Sequence, residues 1–249
     1  VEPFIKKCKE SVWTYKDQWE HMSDRVGFWA DMENPYVTYD NNYIESEWWA
    51  LKQMWDQGLI YKGHKIVPYC PRCGTALSSH EVAQGYKTVK ERSAVVRFKC
   101  VDEDAYFLAW TTTPWTLPSN VALCLNPNDE YSKVKACDGY TYYMATALLD
   151  SVLGSLAKDG EKAYEILESY KGSDLAGRSY VALYQGAADE AAKQKKKAHY
   201  TVCDEYVTME DGTGIVHIAP AFGEDDARVG RDNDLPMVQF VDTRGNLTE

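Results

Sequence analysis

What this chain lacks narrows its function first. No run approaches the roughly 20 apolar residues that a membrane-spanning helix needs, so no membrane partner is expected. No charged-then-apolar segment opens it as a signal peptide would. Positive charge is in short supply: 27 Lys and Arg face 38 Asp and Glu, a net charge of −11. That balance argues against a DNA-binding or nonspecific nucleic-acid-binding protein, which should be basic. It leaves room for one structured RNA held through a local patch. There is no disulfide framework. Of the 7 cysteines, Cys70 and Cys73 form a C-x-x-C pair, while Cys8, Cys100, Cys124, Cys137 and Cys203 are scattered. This usage suits a reducing, cytoplasmic location. A second C-x-x-C is missing, and so are any internal repeat and any long low-complexity tract. The sequence begins at Val1 rather than methionine, which reads as a piece of something longer.

What is present is ordinary for a folded chain. Its 249 residues, 45% hydrophobic and 26% charged, fit one large domain or two smaller ones. Residues 4–26 read as a helix, with Ile5, Cys8, Val12, Tyr15 and Trp19 at helical spacing. Residues 41–58 read as a second helix, with Ile44, Trp48, Leu51 and Trp55 on one face and Gly58 as its stop. Residues 65–69 look like a short strand feeding a knuckle at 70–74. From Ser93 the texture changes to short β-rich runs at 94–101, 105–111, 121–125, 131–136 and 140–145, the pattern of a meandering sheet or barrel. Helices are expected near 146–156 and 161–170. Strands are expected at 200–208, 214–218 and 237–241, with a helix over 223–233. A boundary near Gln84–Thr88 divides residues 1–84, helical and Trp-rich, from 85–249, an α+β domain with a barrel-like sheet.

Three strings carry chemistry. The first is Trp110-Thr111-Thr112-Thr113-Pro114-Trp115-Thr116-Leu117-Pro118-Ser119-Asn120. A strand runs into three threonines, and two prolines that cannot donate hydrogen bonds stiffen the loop after them. Such a shelf of hydroxyls can hold a water, a ribose hydroxyl or a carbonyl oxygen; a strand with threonines on its solvent face is the plainer alternative. The second runs from Asp211-Gly212-Thr213-Gly214 through His217 to Glu224-Asp225-Asp226. The acidic run sits where a helix begins, so capping explains it as well as an ammonium site does. A lone His217 would equally serve as a core histidine. The third, Cys70-Pro71-Arg72-Cys73-Gly74, supplies two of the four ligands of a structural zinc site; His64 and His80 flank it. The basic run Lys193-Gln194-Lys195-Lys196-Lys197 is either an RNA contact or a solvated helix end.

Together the first two strings resemble the editing insertion of the isoleucyl-tRNA synthetases, which carry W-T-T-T-P-W-T-L-P-x-N and, later, G-T-G-x-V-H-x-A-P-x-x-G-x-x-D. Pro68 through Val82 resembles the family's knuckle, and Gly27-Phe28-Trp29 with Asn41 through Ser46 the core segment before it. Valyl and leucyl relatives carry an arginine where Thr113 precedes Pro114 here. The resemblance implies a catalytic-core remnant over 1–84 and an editing domain over 85–249. It implies hydrolysis of valine mischarged onto tRNA(Ile), with hydrolysis of valyl-adenylate as a further possibility. Asp226 would bind the substrate ammonium. His217 would line the side-chain pocket and exclude isoleucine. Thr111, Thr112 and Thr113 would surround the scissile carbonyl, and Trp110, Trp115 and Asn120 would sit at the pocket edge. No cofactor is implied for editing. Zinc on Cys70 and Cys73, as a half site, and ATP belong to the full-length parent. No H-I-G-H-like or K-M-S-K-S-like element is present, so this chain is not expected to aminoacylate alone. Its partners would be the tRNA 3′ end carrying valine and the remainder of the synthetase. Two other readings are a free-standing deacylase acting in trans and a non-catalytic zinc-knuckle module that binds tRNA.

Overall fold

The computed structural model describes residues 1–157 and 162–248. It divides into two compact units, Val1–His64 and Lys65–Glu249. The expected functional boundary at Gln84–Thr88 falls inside the second.

The first unit is helical. Helix α1 (Glu2–Val12) passes through a 3-10 turn at Trp13–Tyr15 into α2 (Lys16–Arg25), so the expected helix over 4–26 is present with one tight turn in it. Helix α3 (Asn41–Asp56) comes next, with Asp40 as its extended N-cap and Gly58 just beyond its end in the left-handed region at φ +72°. None of the three helices buries a residue, and Trp48, Trp49 and Trp55 are exposed.

The second unit opens with the hairpin β1 (Tyr69–Cys70) and β2 (Thr75–Ala76), whose turn holds Cys73. Only Tyr69 of the strand expected at 65–69 is in a ladder, because the pairing begins at the knuckle itself. Helix α4 (Ser79–Ala83) starts with a capping box. The Ser78 N–H donates to the Glu81 carboxylate at 2.7 Å, and the Glu81 N–H donates to the Ser78 hydroxyl at 3.3 Å.

A curled half-barrel sheet then forms from β3 (Ala94–Lys99), β4 (Tyr106–Thr111), β5 (Ala122–Leu125), β6 (Glu130–Ala136), β7 (Thr141–Ala145), β8 (Tyr164–Lys171), β9 (Tyr200–Cys203) and β10 (Ile215–Ile218). Around it pack α5 (Leu149–Leu153), α6 (Gln185–Lys193) and α7 (Glu224–Asp232). The strand order is β8-β6-β7-β4-β10-β5-β9, with β3 on the other edge of β4. Strand β4 is the fork. One edge pairs with β3 along its length, and the other is shared between β7, at Tyr106 and Phe107, and β10, at Trp110. One core, with Phe98, Phe107, Tyr131 and Tyr143, lies on one face of the sheet. A second, with Val121, Val202, Ile218 and Val229, lies under α7. Strand β5 alternates Leu123 and Leu125 into the first and Ala122 and Cys124 into the second, so both its faces are covered. Each large side chain buried this way contributes roughly 1.5–3 kcal/mol.

Two expectations need correction. The helix read near 161–170 is a strand: residue 161 lies outside the described residues, and Tyr164–Lys171 pairs antiparallel with β6. At 237–241 there is no strand, only an isolated bridge between Val241 and Leu247. Strand β9 also stops at Cys203, where the chain turns onto Asp204 rather than continuing to Thr208. No helix among the described residues is long and apolar enough to cross a membrane.

Candidate active site

The two chemistry-bearing strings meet at the fork. Strands β4 and β10 run parallel with Val216 opposite Trp110, so the next residues along each, Thr111 and His217, share the opposite face. That face carries Phe107, Ala109 and Ile215 into the first core. Thr111 and His217 are themselves buried polar residues at 6% exposure each. The shelf then folds back on itself. The Thr113 N–H donates to the Thr111 hydroxyl at 3.0 Å, leaving Thr112 and Thr113 exposed at the rim. Pro114 starts a 3-10 segment, Pro114–Ser119, which needs no donor at its first position. This segment turns Thr116 inward, where its hydroxyl lies 3.0 Å from His217 Nε2. Beside the shelf, Trp115, half exposed, meets Phe222 edge-to-face at 5.2 Å.

Asp226 arrives from the other side. Gly223 is the extended N-cap of α7, and the first turn presents Glu224, Asp225 and Asp226. Glu224 and Asp225 are exposed and suit the helix dipole. Asp226 is different: it is half-buried, and one carboxylate oxygen accepts the Ala219 N–H at 2.9 Å. Burial pushes its carboxyl up to about 6, opposed by that backbone hydrogen bond. Burial pushes the His217 imidazole down to about 4, so the ring is neutral near pH 7. A Cβ on Gly223 would lie 3.0 Å from the Asp226 carboxyl carbon, so the absence of a side chain there lets the carboxylate fold inward. Tyr206, from the turn after β9, has a buried hydroxyl with no partner among the described residues, and nearby Asp226 adds to burial in raising its ionisation.

The structure thus links Thr111 to Thr113 and, through Thr116, Thr113 to His217; it sets Trp115 against Phe222 and ties Asp226 to the end of β10 through Ala219. Trp110 packs behind the site, against Gly212. Asn120 is turned away: it is 2% exposed, its amide donates to the Ala122 carbonyl at 2.8 Å, and it accepts the Tyr180 hydroxyl at 2.7 Å. Its amide is committed to the framework. Sequence reasoning singled out neither Thr116 nor Gly223. Thr116 stands in the first string, but its partner is 101 positions away.

Cys70 and Cys73 lie close enough that the Cys73 N–H donates to Cys70 Sγ at 3.3 Å, which pulls the Cys70 thiol below its ordinary range. These two thiols fit half of a tetrahedral zinc site. Among the described residues no third ligand groups with them. The one grouping of three, Cys100, Asp102 and Glu103, has its carboxylates paired with Arg178 and Lys133. In the basic run, Lys193 pairs with Glu190 and Lys196 with Asp234.

The chain belongs to the class I tRNA synthetase family (I, L, M and V), which matches residues 1–216. Its curated relatives include isoleucine–tRNA ligases. The isoleucine–tRNA ligase of Clostridium kluyveri is 55% identical over 249 residues, across 100% of this chain and 23% of its own length. That of Clostridium acetobutylicum is 54% identical over 250 residues, with the same coverage of 100% and 23%. The chain therefore spans about a quarter of the curated relatives it matches. Among solved structures, the Plasmodium knowlesi (P.knowlesi) cytosolic leucyl-tRNA synthetase editing domain aligns at 16% identity with TM-score 0.44, covering 61% of this chain and 66% of that one.

Proposed function

We propose that this chain is the editing part of an isoleucyl-tRNA synthetase and hydrolyses the ester joining valine to the 3′ end of tRNA(Ile). The observation that carries the reading is the meeting of two distant strings: the Thr116 hydroxyl lies 3.0 Å from His217 Nε2, and Trp115 packs on Phe222. The residues so assembled offer hydroxyls, one neutral imidazole and one half-buried carboxylate.

The need for a second site follows from size. A pocket built for isoleucine gains only about 1–3 kcal/mol from one extra methylene, a figure known from synthetases of this kind rather than from this chain. A smaller pocket lined by His217 would exclude isoleucine by bulk. Asp226 would hold the ammonium in a partly desolvated ion pair. Thr112 and Thr113, exposed at the rim, would hold the ester and the attacking water. The water oxygen bonds to the ester carbon and gives up a proton, the bond to the ribose oxygen breaks, and that oxygen takes the proton to become a hydroxyl.

In this reading residues 1–84 belong to the synthetase core and 85–249 to the editing domain. Editing requires no cofactor. Cys70 and Cys73 would hold two corners of a zinc whose other ligands come from the parent, and ATP serves the parent's own reaction. The location is cytoplasmic. The test is deacylation of Val-tRNA(Ile) beside Ile-tRNA(Ile): selective loss of valine is expected, and Asp226→Ala should abolish it. Equal rates for the two esters, or wild-type activity in the variant, would overturn the assignment.

A further inference from the structure

We infer that Thr116 is a positioning residue that fixes the protonation pattern of the His217 ring, with the hydrogen on Nε2 and Nδ1 left as a bare acceptor. The reason is a count of protons. A threonine hydroxyl has one. That of Thr116 donates to the Thr113 carbonyl at 2.8 Å, the back-bond to the residue three positions earlier that suits a threonine in a tight helical turn. Its oxygen then has only lone pairs to offer the ring nitrogen 3.0 Å away. His217 Nε2 must therefore carry the hydrogen, and Nδ1 must be without one.

The opposite tautomer is worse on two counts. With Nδ1 protonated, that N–H would be a buried donor, and Nδ1 has no partner among the described residues. Orphaned donors are rarer than under-used acceptors because an acceptor keeps some favourable surroundings. In addition, a hydroxyl turned toward a bare Nε2 would give up its 2.8 Å bond to the Thr113 carbonyl, which would keep only the Thr116 N–H at 3.0 Å. Both partners are almost entirely enclosed, Thr116 at 4% and His217 at 6% exposure, so bulk water does not mediate the choice. The neutral state of the buried ring agrees with this arrangement.

The consequence is chemical. His217 donates its only hydrogen to the protein and has none for a substrate oxygen. It is not an oxyanion donor and not a general acid. Its Nδ1 lone pair is enclosed as well, so His217 acts on a ligand through its shape rather than by proton transfer. This part rests on the reading of His217 as a pocket residue; the tautomer does not.

The test is nitrogen NMR of the chain carrying 15N-labelled histidine. The His217 pair is expected as one protonated Nε2 and one unprotonated Nδ1 at neutral pH. Thr116→Ser should keep this pattern, and Thr116→Val should reduce the Nε2-protonated share. A protonated Nδ1 in the wild-type chain would overturn the proposal, as would a well-folded Thr116→Val with an unchanged pattern. If the valine variant fails to fold, the wild-type and serine spectra still decide. Valine amide-linked at the 3′ carbon of 3′-deoxyadenosine then serves as a non-hydrolysable probe. At saturation it should leave the Nε2-protonated pattern in place, and a switch to Nδ1 protonation would overturn the proposal. No deacylation enters the first measurement, so a failed editing assay and a failed tautomer assignment are distinguishable.

Discussion

The carboxylate of Asp226 accepts the backbone N–H of Ala219 at 2.9 Å, tying the first turn of α7 to the segment that leaves the strand carrying His217. This clasp orients one of the two carboxylate oxygens. It does not compensate fully for burial, since the carboxyl still sits at about 6.

A trade between stability and activity results. The folded chain binds a proton at Asp226 more tightly than the unfolded chain does, so this group lowers stability as pH rises from about 4 through about 6. Asp226→Asn should raise unfolding free energy near pH 7 by about 1–3 kcal/mol. The gain should vanish below pH 4. Deacylation should fall by on the order of 10²-fold or more. Thermal melts across this range, beside the Val-tRNA assay, check both halves.

With Asp226 holding the substrate ammonium, as proposed, the same group should set the acid limb of the rate profile. Below about pH 6 the Asp226 carboxylate protonates and can no longer pair with an ammonium. His217 stays neutral down to about 4 and contributes nothing to that limb. Single-turnover deacylation between pH 5 and 8 should show one ionisation near 6, absent from Asp226→Asn.

Gly223→Ala tests positioning without touching charge. The added methyl would press on the Asp226 carboxyl carbon from 3.0 Å. The expected loss of deacylation is on the order of ten- to a hundredfold, with α7 retained by circular dichroism.

The framework behind the site has its own weak point. The buried Tyr131 hydroxyl donates to the Gly214 carbonyl at 2.6 Å and accepts the Asn126 N–H at 2.8 Å. Tyr131→Phe leaves both unpaired and should cost about 1–3 kcal/mol in denaturant unfolding. Gly214 itself sits at φ +70°, where a Cβ would fall 2.3 Å from the Ala145 side chain, so no substitution there should fold.

For zinc, two thiols without further ligands predict weak, substoichiometric metal. Elemental analysis of the dialysed chain should find far less than one zinc per molecule, and a chelator should not shift its melting.

Most strands were legible because alternation survives in them: Phe98, Phe107, Tyr131 and Tyr143 mark buried faces that any pairing partner must respect. Strand β8 was not. Glu165, Leu167 and Glu168 favour helix by themselves, and an outermost strand buries too little to imprint a pattern; pairing with β6 overrides the local preference. The site was legible as two strings but not as contacts. Nothing local tells that Asn120 turns its amide into the frame, or that Thr116 rather than Thr112 reaches His217. The second of these depends on the parallel register of β4 and β10, and the first on Tyr180, 60 positions away; both join residues far apart in the chain.

The fork at β4 has a mechanical meaning. One half of the sheet grips this strand at Tyr106 and Phe107 and the other at Trp110, immediately before the threonines. The hydroxyl shelf is thus the end of a beam held along one edge by β3 and at two separate points on the other. A slow opening of either half-sheet would free one stretch of the second edge while β3 still holds the first. Hydrogen exchange at the Trp110 and Thr111 amides would then report how long all the pairings at the shelf stay closed together.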